Sequence, residues 1–239
     1  MNSLMVLLQA EFKRLAKYNI IQVSLGVTVL WLAVLFLIGQ NEAGAFIPLF
    51  IFMDVSLMTM LLIGAGLFYE RQENTLKTLM VTPASTAGII ASKIVSAVYI
   101  ALQSTILIAL AGHFFFDATI NFFALIPLVV LVAISHAVIG YLVAMYVKDF
   151  TSMLAMLMLY MFVFAFPSIF YAIDMIGGVW ETLLIVSPSH AAMILIDFSF
   201  GAEETMTLVV VGVVYLSLLS ILLMRFFVYP KYIETAIKE

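Results

Sequence analysis

Glu70-Arg71-Gln72-Glu73-Asn74-Thr75-Leu76-Lys77-Thr78-Leu79-Met80-Val81-Thr82-Pro83 is a charged island between two long apolar runs, in a chain that is 65% hydrophobic. Leu76, Leu79, Met80 and Pro83 recur at helical spacing on one side. Glu73 and Lys77 form a favourable i,i+4 pair on another. A connection that only had to turn the chain would be far shorter and would need no polar face beside an apolar one. The segment is therefore expected to be a helix at a membrane surface, with one face for lipid and the other for a protein. Pro83, which lacks an amide donor, stops it, and Ser85 or Thr86 can cap the next span.

The flanking runs make this an all-α integral membrane protein. Mean hydropathy is +1.22, and only 10% of the 239 residues are charged. Such a composition cannot cover a water-soluble surface. About 20 apolar residues cross a hydrocarbon layer of roughly 30 Å as a helix, and six windows qualify: 20–38, 46–69, 87–111, 122–147, 151–173 and 207–228. Two shorter runs, Val179 to Val186 and Ala191 to Phe200, are parted by Ser187-Pro188-Ser189 and are too short to cross alone. Residues 178–201 are thus expected to form an external re-entrant or interfacial helical hairpin. Residues 1–19, with Leu4, Leu8, Phe12 and Leu15 on one helical face, are expected to lie in the inner interface. The whole chain is a single transmembrane domain on this reading.

Charge sets the orientation. With the N-terminus inside, all ten basic residues (Lys13, Arg14, Lys17, Arg71, Lys77, Lys93, Lys148, Arg225, Lys231 and Lys238) fall at the cytoplasmic side. The opposite loops hold only Glu42, Asp117, Asp174, Glu181, Asp197, Glu203 and Glu204. The positive-inside rule then places both termini in the cytoplasm and the chain in a cytoplasmic membrane.

Absent signatures exclude several classes. The chain has no cysteine and three scattered histidines, which excludes thiol chemistry and argues against a metal site. It contains no Gly-x-x-x-x-Gly-Lys-Ser/Thr phosphate loop, His-Glu-x-x-His or Gly-x-Ser-x-Gly. No catalytic residue is expected, and nucleic acid is not an expected partner.

In its layout and in Glu70-Arg71, Asn74-Thr75-Leu76-Lys77, Leu79-Met80, Pro83 and Lys93, the chain resembles the ABC transporter permeases of the ABC-2 type. That family commonly has Gly where Asn74 stands and Glu where Lys77 stands. The resemblance implies a permease subunit whose coupling helix, 70–83, docks on a separate ATP-binding cassette subunit through Glu70, Arg71, Glu73, Thr75, Leu76, Lys77, Leu79 and Pro83. ATP and Mg would belong to that partner, with no cofactor in this chain. Six spans imply a second permease copy, identical or related. The implied cargo is amphipathic or hydrophobic: a drug, peptide, lipid or lipid-linked glycan. The second and fifth spans would line the path, which brings forward Phe52, Ser56, Thr59, Tyr160 and Phe166.

Two intramembrane polar groups stand out independently. Asp54 is the only acid well inside a predicted span, and Gln103, with Ser104 beside it, lies at similar depth as a hydrogen-bond partner. The Asp54–Gln103 pair is either a structural clamp or part of the path. His136 beside Ser135 reads first as a packing residue. Two rival readings are an ion-coupled carrier or channel using Asp54 and His136, and an immunity-type membrane protein that binds a peptide without turnover.

Overall fold

The computed structural model describes residues 3–73, 85–202 and 206–238, which are helical throughout apart from short turns, with no strand among them. Six helices are long and apolar enough to cross a membrane: Ile20–Ile38, Glu42–Gln72, Thr86–Phe115, Phe122–Tyr146, Phe150–Ala172 and Met206–Glu234. The protein is a multi-pass membrane protein. The N-terminal helix Ser3–Lys17 precedes the first span, and the short helices Val179–Leu184 and Pro188–Phe198 precede the sixth.

Local chemistry sets the helix starts. The side chains of Ser85, Asn121, Asp149 and Ser187 accept hydrogen bonds from the amides of Gly88, Ala124, Ser152 and His190, three residues on in each case. Each satisfies an amide that has no partner within its helix. Amide bonds and the hydroxyl of Ser152 hold the Asp149 carboxyl below its ordinary range. Asn19, in the left-handed region at φ 57°, breaks the chain between the N-terminal helix and the first span.

The second span is the axis of the fold. In its apolar window 67% of residues are buried, against 22% in the first and sixth spans and 28% in the fifth. The third and fourth spans enclose it, and the peripheral three leave broad apolar faces outward. The core divides into two apolar layers along the bundle. One includes Ile47, Ile51, Val55, Ile108, Val129 and Ala133; the other includes Met60, Leu67, Ala97, Ala137, Tyr141 and Met153. Asp54, Ser56, Thr59, Ser135 and His136 lie at the division between them, all buried. Three spans also carry a π-helical turn, at Asp54–Met58, Met161–Ala165 and Met224–Val228. The first two sit at this same division.

Candidate functional site

The N-terminal helix brings charge to the end of the second span, where the charged segment begins. Its inward stripe is Leu7, Glu11 and Leu15, spaced four residues apart, so a carboxylate stands in the middle of a buried face. Glu11 Oε1 accepts from Arg14 Nη2 at 2.6 Å and from Lys93 Nζ, at the start of the third span, at 2.8 Å. Glu70, at the end of the second span, accepts from the same two cations, Arg14 and Lys93. Two anions and two cations thus alternate in a closed ring of zero net charge. Glu11 is 5% exposed, Glu70 2% and Lys93 5%.

Burial of this kind demands full pairing, because an ion removed from water costs several kcal/mol even after relaxation. In the ring each charge has two opposite neighbours, while the buried Arg14 Nε has no hydrogen-bond partner. The ring joins three elements separated by up to 82 residues in sequence. The hydroxyls of Tyr141, on the fourth span, and Tyr232, on the C-terminal helix Tyr229–Lys238, lie within electrostatic reach of Glu70 and Glu11, and their rings pack at 6.1 Å. Five helices therefore converge at the base of the charged segment.

Arg71 continues the pattern outward. Its Nη1 donates to the carbonyl of Val147 at 3.3 Å, and its guanidinium lies 5.3 Å from the Phe68 ring centroid. It ties the second span to the turn between the fourth and fifth. Beyond it, the exposed Lys17 Nζ donates to Glu73 Oε1 at 2.8 Å, while Tyr18 stacks on Tyr69 at 4.4 Å. This mutual hydrogen bond holds the Glu73 carboxyl below its usual range and the Lys17 ammonium above its own. Both charges are consequently fixed throughout the neutral range. Of the residues expected to face an ATPase, Glu70 and Arg71 are engaged inside the chain and Glu73 is exposed. Thr75, Leu76, Lys77, Leu79 and Pro83 lie outside the described residues.

The residues expected along a path occupy a different place. Phe52, Asp54, Ser56, Thr59 and Tyr160 are buried within this one chain, and Gln103 and Phe166 are half-buried. Thr59 Oγ1 donates to the carbonyl of Val55 at 2.6 Å, its own preceding turn. Asp54 is 1% exposed, and neither of its carboxylate oxygens has a hydrogen-bond partner. The polar groups that face it are Ser104 and Trp31. Gln103 makes no hydrogen bond to it, and its own amide nitrogen has no partner; adjacent helical residues diverge by about 100°, and it is the neighbouring Ser104 that faces the carboxylate.

His136 sits in a directed chain of hydrogen bonds. Its Nδ1 lies 2.9 Å from the carbonyl of Val132, which can only accept, so Nδ1 carries the proton and Nε2 is the acceptor. Tyr160 Oη then donates to Nε2 at 3.1 Å and accepts from Ser189 Oγ at 2.9 Å. The chain links the fourth span, the fifth span and the short helix Pro188–Phe198. His136 and Tyr160 stand out separately in the sequence, whereas Ser189, on a break between two short apolar runs, carries no signal of its own. Tyr160→Phe would strand the histidine nitrogen and the serine hydroxyl. We expect a loss of about 1–3 kcal/mol, read as a lower unfolding temperature in detergent, with a smaller loss for Ser189→Ala.

A family model described as ABC-2 type transporter matches residues 2–200. No curated protein matches the chain.

Proposed function

The chain belongs to the ABC-2 type transporter family, and from that premise we propose that it is the membrane half of an ATP-driven exporter, driven by a separate ATP-binding subunit and working as a pair of permeases. The phosphate loop would then belong to that subunit, and this sequence contains none. Its place is a cytoplasmic membrane with both termini inside, supported by the way all ten Lys and Arg fall, in the sequence, in or beside the segments on one side of the six spans.

The observation that carries the reading is the buried ring of Glu11, Arg14, Glu70 and Lys93 at the base of the charged segment. A segment that only turned the chain would need no such anchorage. A segment that receives a push from another protein must be joined rigidly to the helices it moves, and a paired, water-excluded ion ring spanning three elements provides that joint. In this division of labour Glu70 and Arg71 position the segment. Glu73, Thr75, Leu76, Lys77, Leu79 and Pro83 offer the docking surface. The ATPase cycle then shifts the spans between inward-open and outward-open states by differential binding to the two. The cargo class is an amphipathic or hydrophobic molecule.

The test is to replace residues 74–83 with a Gly-Ser linker and purify both forms from mildly solubilised membranes. The parent chain is expected to carry a nucleotide-hydrolysing subunit and to export in an ATP-dependent manner. The linker form is expected to be folded, without ATPase and without transport. Transport by the isolated chain on an ion gradient would overturn the proposal.

A further inference from the structure

At the end of the bundle opposite the termini, a cavity of about 730 Å³ opens between the second span, the end of the fifth and the short helix Pro188–Phe198. Its size lies within the range of small-molecule sites, about 300–1,000 Å³. Phe46, Leu49 and Tyr171 supply apolar and aromatic wall, with His190 set edge-on to Tyr171 at 5.2 Å. Two carboxylates, Asp174 and Asp197, also line it, and no Lys or Arg does among the described residues. None of the seven residues expected along the path borders this cavity.

The charge of the wall exceeds what insertion requires. The positive-inside rule accounts for the absence of Lys and Arg from this end among the described residues, but acidic residues contribute little to orientation. Asp174 and Asp197 give this aromatic-walled hollow a negative face. A cleft lined by one sign of charge with low-dielectric walls concentrates the opposite ion, and aromatic faces add attraction for a cation. An anion would meet repulsion there, and a neutral amphiphile would gain hydrogen bonds from the carboxylates but no charge attraction.

We propose that this cavity is a binding site for an organic cation with an aromatic or apolar body, held between Phe46 and Tyr171 with its charge toward Asp174 and Asp197. The binding site stands on the cavity alone; that the cation is also the exported cargo rests on the exporter reading. Asp174 adopts φ 57°, a conformation that asparagine shares readily, so the charge can be removed there without disturbing the backbone.

The test uses the full chain in zwitterionic nanodiscs without any ATPase, so that it is independent of the exporter reading. Tetraphenylphosphonium and tetraphenylborate share size and shape and differ in charge, and their binding is measured by equilibrium dialysis against empty nanodiscs. The cation is expected to bind saturably, one per chain, and the anion not at all. Asp174→Asn with Asp197→Asn is expected to weaken the cation about tenfold, as two partly exposed charge pairs allow, and the paired glutamate variants to restore it. Asp117→Asn, outside the cavity, is expected to change nothing. Should the double asparagine variant not fold, Ala45→Trp, which fills the cavity from an exposed lining position, is expected to abolish binding. Equal binding of both ions, undiminished cation binding in the folded double variant or in Ala45→Trp, or an equal loss in Asp117→Asn, would overturn the site.

Discussion

Glu70→Gln is expected to lower stability by about 3–5 kcal/mol, because it leaves Arg14 and Lys93 facing the single carboxylate of Glu11 in a buried site. Lys93→Met is expected to cost a similar amount, with the opposite sign of unbalanced charge. Combining them restores neutrality, with Glu11 and Arg14 still paired at 2.6 Å. The double variant should therefore lose far less than the sum of the singles, with a coupling of about 1–3 kcal/mol. Unfolding in detergent, followed for all four members of the cycle, supplies the measurement. Additive losses, or a Glu70→Gln protein as stable as its parent, would show that the ring is not a buried unit.

The same cycle separates holding the fold from transmitting motion. The double variant should fold while its N-terminal helix is joined to the second and third spans by fewer bonds, so ATP-dependent transport should fall in a protein of normal yield. By contrast, the exposed Lys17–Glu73 contact is screened by salt over roughly a Debye length of 8–10 Å. It contributes position more than strength.

Some of this site is legible in the chain and some is not, for identifiable reasons. The six spans are plain because hydropathy over about 20 residues is a strong local signal. The segment after Glu70 stands out because charge interrupts it. Glu11 is hidden because the apolar pattern of its helix points to a face of Leu4, Leu8, Phe12 and Leu15. The structure instead buries Leu7, Glu11 and Leu15 and leaves Leu4 42% exposed. A carboxylate on a buried stripe violates the pattern from which a face is inferred, and pairing with Arg14 and with Lys93, 82 positions away, makes it tolerable. Tyr232 is hidden for a related reason. Hydropathy ends the sixth span near Val228, whereas the helix continues through Tyr229–Lys238 and returns the tyrosine to the core. The Asp54–Gln103 pairing turns on one residue of helical phase, which depth counting does not resolve.

Gly140→Ala is expected to be the most damaging single-methyl change in the fold. A Cβ built on Gly140 would lie 2.6 Å from Met60 Cα and 2.9 Å from Met60 O, both main-chain atoms of the most buried span. No side chain can rotate to relieve that contact, so the second and fourth spans must separate along a fully packed seam. The loss should reach about 3 kcal/mol or more, at the upper end of overpacking costs. Two glycines in the second span set the scale. At Gly64 the added carbon meets Met153 Sδ and, at 2.6 Å, its Cε. That obstacle is the end of a flexible side chain, and Gly64→Ala should be rescued by Met153→Ala. At Gly66 nothing lies within 4 Å, so Gly66→Ala should be neutral or should stabilise by up to about 1 kcal/mol through helix propensity. Thermal unfolding and folded yield of the three variants should therefore rank Gly66 above Gly64 above Gly140. A Gly140→Ala protein that unfolds at the parent temperature would mean that the second and fourth spans do not touch main chain to main chain, and the second span would lose its place as the closely packed axis of the bundle.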